Sequence, residues 1–432
     1  MSDTGDSSPT LGQPASISSL LRERSVRAVF LALLASSIGW VALATGLAIH
    51  VFAITDRKRD LGLLGLAEFI PSVVLVFLSG SIADRFDRRR IIVLGLLIEV
   101  VAVVGLLSLD YDRLRTATSF LALTLVMGIG RSLVSPSMRA LVPAAAPPGQ
   151  LARVIALSSS TWQISAIVGP LIGSLAYSVS PRLAYLVGGL LLIGSAAATV
   201  SIPRSTGLAH TTQPGDTPEA KPSFRGAFQG LASIWRQPIL FGAIALDLFA
   251  VLFGGAVALL PAVAKELLGG GSNEVGFLRA AGGIGATIVT FALTARPLQR
   301  RIGRSLLVAV AVFGVATVLF GVSRSFWISA VAIFVLSGAD SISVFIRSTL
   351  VPMVTPAVER GRVLAVEAVF IGASNELGAF ESGEVAHHFG TVTSIVSGGL
   401  LTLVVVVVWW FAFPALRDVD RFEDLEGFDA HR

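Results

Sequence analysis

Long apolar runs alternate with short polar breaks along nearly the whole chain. "IIVLGLLIEVVAVVGLLSL" (91–109) and "LTLVVVVVWWFAF" (401–413) are typical. A helix of about 20 apolar residues spans the roughly 30 Å hydrocarbon core of a bilayer. Such stretches fall at 28–54, 62–83, 91–109, 117–140, 151–176 and 183–202. They resume at 239–264, 275–295, 305–322, 327–349, 363–386 and 393–414. The pattern therefore predicts an all-α membrane protein with twelve transmembrane helices.

The break at 203–236 is the long one. It opens with the Pro/Thr/Gly-rich "TGLAHTTQPGDTPEAKPS" and continues as "FRGAFQGLASIWRQP". Phe224, Phe228, Leu231 and Trp235 recur there at helical intervals, which predicts a short amphipathic helix on the membrane surface. The expected domain map is a polar, disordered cytoplasmic tail (1–26), a six-helix bundle (27–202), a cytoplasmic linker with its amphipathic helix (203–236), a second six-helix bundle (237–416) and an acidic cytoplasmic tail (417–432).

The halves repeat. At a shift of 209 residues, Pro143, Pro147, Arg153, Val154, Ala156, Ser165 and Gly169 fall on Pro352, Pro356, Arg362, Val363, Ala365, Ser374 and Gly378. Glycine and proline among these identities mark backbone geometry, not just hydrophobicity. "IADRFDR" (82–88) lies over "LQRRIGR" (298–304) at a slightly different shift, as a decayed copy. Two pseudo-symmetric bundles in a parallel repeat are a transporter architecture, with the binding site near the midplane between them.

Composition narrows the chemistry. Only 14% of residues are charged, against about 25% in soluble domains, and the mean hydropathy is +0.79. There is no cysteine, which removes disulfides and thiolate metal sites. No Walker or metal-ligand spacing occurs, so neither enzyme chemistry, a metal nor a cofactor is expected. The isoelectric point near 10.2 reflects short basic clusters between spans, not a nucleic-acid-binding face. With the N-terminus inside, about 22 basic residues fall on the cytoplasmic side and about eight outside, which predicts cytoplasmic termini. One loop, "DRKRD" (56–60), opposes that assignment: it falls outside with three basic residues.

The residues of "GSIADRFDRRR" (80–90) resemble the second-to-third-helix motif of the major facilitator superfamily. The match sets Gly80, Asp84, Arg85, Arg88 and Arg89 on that motif, with Asp87 where a glycine is usual. "GIGRSLVSP" (128–136) resembles the fourth-helix arginine motif, giving Arg131. "SAIVGPLIGS" (165–174) resembles the fifth-helix exporter motif through Gly169, Pro170 and Gly173, with Ser165 and Ser174 in place of common glycines. The stretches 258–286 and 355–366 look most like the enterobactin-exporter-like, drug-efflux-like branch. The resemblance covers roughly residues 20 to 415.

That resemblance implies a latch. Asp84 would face the start of the eleventh span, "ERGRV" (359–363), gaining from the helix dipole and from Arg362. Arg85 and Arg88 to Arg90 read as headgroup anchors. Charges inside spans are costly and usually face a cavity or a partner. Arg131 and Asp340 are equivalent under the repeat, and would either pair across the pseudo-twofold axis or contact substrate. Asp247 is the leading proton-coupling candidate, unless an arginine or helix backbone holds it, and Glu376 is a secondary one. Trp40 is either core packing or a stacking platform. Glu68, Glu99 and Arg279 are assigned to span ends, where snorkelling makes them unremarkable, and His387 and His388 to a loop.

The function expected is a proton-coupled exporter of an amphipathic small molecule, a siderophore or a drug, by alternating access. Its setting is the bacterial inner membrane, as a monomer, with substrate, protons and lipid as partners. The alternatives are a proton-coupled importer of a polar metabolite or a non-transporting membrane receptor.

Overall fold

A computed structural model describes residues 20–85, 87–114, 116–203, 224–356 and 358–425, with the side chains of 76–85 and 224–227 outside that description. The first half contains α1 (Arg24–Thr55), α2 (Lys58–Arg85), α3 (Arg88–Ser108), α4 (Thr118–Ala144), α5 (Leu151–Val179) and α6 (Pro181–Val200). After α7 (Phe224–Arg236), the second half begins with α8 (Pro238–Phe253), a 3₁₀ turn (Gly255–Leu259) and α9 (Leu260–Glu266). It continues with α10 (Ser272–Ala295), α11 (Ile302–Val322), α12 (Phe326–Val354), α13 (Arg360–Phe389), α14 (Thr391–Ala412) and the short α15 (Pro414–Arg417). Among the described residues no strand occurs. Among the described residues eleven helical units, α8 to α9 counted as one, are long and apolar enough to cross a membrane.

Helix starts and stops follow local chemistry. Asp87 caps α3, its carboxylate accepting from the Arg89 backbone N–H at 3.0 Å. That is what the aspartate does where the motif usually has glycine. Arg88 donates to the Ala140 carbonyl near the end of α4 at 3.1 Å. Arg89 donates to the Thr199 and Val200 carbonyls at the end of α6, at 3.4 and 2.7 Å. Cations at helix C-termini satisfy orphan carbonyls and complement the dipole. Arg88 and Arg89 thus tie α3 to α4 and α6, a more specific role than anchoring at headgroups.

The seventh apolar stretch, expected as one helix, is interrupted at Gly254 and Gly255. A Cβ on Gly255 would collide with the Gly378 carbonyl of α13, and one on Gly378 would lie 2.6 Å from the Val251 carbonyl. The glycines let two backbones touch, and the helix tightens to 3₁₀ beside that contact.

Two hydrophobic clusters form the cores, one from residues 20–202 and the other from 234–425. A third cluster joins α1 and α2 to α9, α10, α12 and α14. The halves meet along α2 against α13 and α5 against α10. Small residues make both crossings. A Cβ on Gly62 would approach Phe380 Cα to 2.6 Å, and one on Gly383 would approach the Lys58 carbonyl to 2.9 Å. On α10, Gly276 lies against Ser174 and Pro170, and Gly283 against Ala166. The fifth-helix motif divides its faces: Gly169 and Gly173 receive Val41 and Ala42 of α1, while Pro170 and Ser174 face α10. Ser174, where a glycine is common, finds its room through Gly276.

α7 has Phe228 and Trp235 exposed and Ile234 buried. It docks on the start of α13, where Ser233 donates to Glu359 at 2.6 Å. Residues 204–223 of the linker, and the tails 1–19 and 426–432, lie outside the described residues.

Gly62→Ala should push α2 from α13 and cost about 1–3 kcal/mol. Gly194→Ala in α6, with nothing within 4 Å of its Cβ position, should be neutral or stabilising by up to about 1 kcal/mol. Thermal unfolding in detergent checks both. Equal behaviour of the two variants would contradict the close crossing.

Candidate functional site

A cavity of about 350 Å³ lies between the halves. Leu47 of α1 and Leu64 of α2 form part of one wall, and Val251, Phe313 and Leu336 part of the opposite one. Into this apolar chamber α2 contributes Glu68, α10 Arg279, α12 Asp340, and α13 Asn375 and Glu376. Such a space, apolar with a few convergent polar groups, is what small-molecule sites look like.

Of the residues singled out from the sequence, Asp340 and Glu376 line the chamber. Glu68 and Arg279 correct their assignment to span ends. α2 begins at Lys58 and α10 at Ser272, so each residue lies well inside its helix and faces the chamber. Glu68 has Glu376, Arg131, Glu99 and Arg279 as charged neighbours. Arg279 donates to Thr45 Oγ1 of α1 at 3.1 Å, across the divide between halves. The Glu376 carboxylate rests over Gly65, one turn before Glu68, in the space a Cβ there would take. Glu99 is also no span-end residue. It is wholly buried on α3, and neither of its oxygens has a hydrogen-bond partner.

Arg131 and Asp340 do not meet. Arg131 stacks over Trp40 at 4.9 Å from the ring centroid and donates to Ser36 Oγ at 3.2 Å. Trp40 is therefore buried beneath a guanidinium, outside the cavity lining. Asp247 on α8 is held by Arg347 on α12 at 2.7 Å, with side chains 6% and 4% exposed. Arg347 also reaches Ser343 at 3.4 Å. Of the two possibilities for Asp247, the arginine-held one is observed. Asp247 borders a smaller pocket that Asp340 and Ser343 share.

Where α1 turns into α2, a second constellation joins the halves. Asp56 pairs with Lys265 and Lys58 with Glu266, each at 2.8 Å. Arg59 pairs with Glu384 at 3.1 Å. Thr391 donates to Glu266 at 2.6 Å, and His388 contacts Glu384 at 3.2 Å. His387 and His388 belong to the last turn of α13, not to a loop. Among the described residues these are the ion pairs that bridge the halves, and they give Lys58 and Arg59 of the basic loop acidic partners in the other half. Nearby, His50 Nδ1 lies 2.7 Å from the Tyr185 hydroxyl, packed among Tyr111, Phe120 and Tyr177.

At the other end, Arg362 binds Gln229 of α7 and donates to the Val358 carbonyl at 3.1 Å. The side chains of Gly80, Asp84 and Arg85 lie outside the described residues, so the latch expected between Asp84 and Arg362 has no counterpart in the description.

Removing one member of a buried ion pair leaves an uncompensated charge, costing about 3–5 kcal/mol. Asp247→Asn and Arg347→Met should each lower the thermal midpoint sharply, and the double variant should recover most of the loss. Additive losses in that cycle would contradict a structural pair.

The model of the transmembrane secretion effector family matches residues 15–428. An enterobactin exporter from Escherichia coli O1:K1 is 23% identical over 410 residues, covering 93% of this chain and 94% of its own. An uncharacterised major facilitator-type transporter from Bacillus subtilis is 23% identical over 319 residues, covering 74% and 75%. Among solved structures, a bacterial homologue of the lysosomal transporter Spinster, titled inward-facing and unoccupied, superposes with a TM-score of 0.67 at 15% identity, over 95% of this chain and 98% of its own. The human organic anion transporter MFSD10 gives a TM-score of 0.62 at 17% identity, over 92% and 100%. The helical fold, the cavity between halves and a family match along nearly the whole chain agree: this protein belongs to the transmembrane secretion effector family and is a multi-pass transporter of the major facilitator superfamily.

Proposed function

We propose that the chain is a proton-coupled exporter of an amphipathic small molecule, working by alternating access in a bacterial inner membrane. The carrying observation is the cavity in which both halves supply ionisable side chains to one apolar chamber: Glu68 from the first, Asp340 and Glu376 from the second. A carboxylate there can take a proton or a substrate, and exchange between the two is the coupling step. Asp247, held by Arg347, only borders that set through the small pocket it shares with Asp340. The relatives named as enterobactin exporters support the outward direction.

On this reading twelve helices form two six-helix bundles, with α7 on the cytoplasmic face and both termini inside. The Asp56, Lys58 and Arg59 pairs then close the periplasmic end. Their side chains are 19% to 66% exposed, so each pair is worth about 0–1 kcal/mol. Three such pairs bias a conformational equilibrium without locking it, which is what a gate opened in every cycle requires. Gly80, Asp84, Arg85, Arg88, Arg89 and Arg362 are the switch of the opposite end. Arg362 leaves Gln229 when that end closes. The protein works as a monomer.

The test is proton release in energised inverted vesicles, read with a pH-sensitive dye as candidate compounds are added. A compound that elicits release only in vesicles containing the protein establishes export by exchange. Asp340→Asn should reduce that release about tenfold or more with insertion unchanged, and wild-type release would remove Asp340 from coupling. Lys58→Glu should slow transport, and Lys58→Glu combined with Glu266→Lys should restore it. Failure of the charge swap would contradict the gate.

A further inference from the structure

Resting on the exporter reading, the charge inventory of the chamber names the kind of molecule carried. Three carboxylates line it, Glu68, Asp340 and Glu376, against one guanidinium, Arg279. None of the three makes a hydrogen bond or ion pair with another described residue, although all three are only partly exposed, to the cavity. Arg279 spends one of its N–H groups on Thr45 and forms no ion pair among the described residues. The other arginines nearby are committed elsewhere: Arg347 to Asp247 at 2.7 Å, and Arg131 to Trp40 and Ser36.

A fourth carboxylate adds to the imbalance from behind the wall. Glu99 is wholly buried, with neither oxygen partnered, and Glu68 has it as a charged neighbour. Gly65 leaves its Cβ position open, and the Glu376 carboxylate lies there against the helix bearing Glu68. Buried or half-buried carboxylates without partners are costly. A ligand that brings a positive charge offsets this cost, whereas one that brings a negative charge raises it.

We propose that the transported substrate is an amphipathic organic cation, its nitrogen or phosphonium centre held between Glu68, Glu376 and Asp340 and its apolar body against Leu47, Leu64 and Phe313. A polyanionic catecholate is the wrong charge for this chamber. At about 350 Å³ the cavity lies at the lower end of the roughly 300–1,000 Å³ range of small-molecule pockets, which suits a compact cation. Among the described residues no three acidic or imidazole side chains are grouped to hold a metal ion, which favours an organic cation over an inorganic one.

Tetraphenylphosphonium and tetraphenylborate test this directly, since they share shape and hydrophobicity and differ in sign. Binding to the purified wild-type protein in nanodiscs is measured by equilibrium dialysis, with empty nanodiscs subtracted. Saturable binding of the phosphonium alone is expected. Glu68→Gln and Glu376→Gln should each weaken it about tenfold, and Arg279→Gln should tighten it. Saturable binding of the borate in preference to the phosphonium, or no saturable phosphonium binding by the wild-type protein, would overturn the proposal. The two readings separate in vesicles. Proton release driven only by anions would keep export by exchange and sink the cation. Phosphonium binding without any substrate-driven proton release would keep the cation and sink the exchange.

Discussion

Backbone touches backbone between the two halves, and the rest of the structure depends on it. In lipid, helices gain little from hydrophobic burial against each other, so close packing of small residues carries their association. Gly62 and Gly383 bring α2 onto α13, and Gly276 and Gly283 bring α10 onto α5. The same economy opens the seventh apolar stretch at Gly254 and Gly255, against Gly378. Larger residues at these places would separate the halves, and with them the side chains that must converge from α2, α10, α12 and α13.

Held at that spacing, the halves divide their charges into two kinds of work. The buried pair of Asp247 and Arg347 ties α8 to α12 inside one half, where removing either charge is expensive. The exposed pairs around Asp56, Lys58 and Arg59 tie half to half at one end, where each is cheap to break. Under the proposed alternating access, weak bridges of this kind would let one half move against the other. Between the two kinds sit the unpaired carboxylates of the chamber, which are left free to exchange partners.

Most of the spans were legible because lipid imposes length and apolarity on each segment separately. The internal repeat was legible too, since proline and glycine keep their places where backbone geometry is fixed. What the residues did not reveal was which way a charge faces. Glu68 and Arg279 read as span-end residues because the apolar runs were begun at 62 and 275, whereas the helices start at Lys58 and Ser272. Arg347 went unnoticed for a similar reason: α12 runs on to Val354, so the arginine is two turns inside and fully packed. Helices that are apolar all round carry no phase from which to read an inward side. The meeting of Arg131 with Trp40, in place of Asp340, depends on that phase. The partners of the basic loop at 56–60, Lys265, Glu266 and Glu384, lie more than two hundred residues away in sequence, beyond the reach of any local pattern.

A chain without cysteine invites paired spin labels, and one distance tests the central claim that the halves are bridged where α1 meets α2. Labels are placed at Arg57 and Leu268, either side of the ion pairs, and read by double electron–electron resonance. In the otherwise native chain a narrow, short distance is expected. Replacing Glu266 and Glu384 by glutamine should add a longer population at the expense of the short one. An identical distribution before and after that replacement would contradict a gate made of these charges.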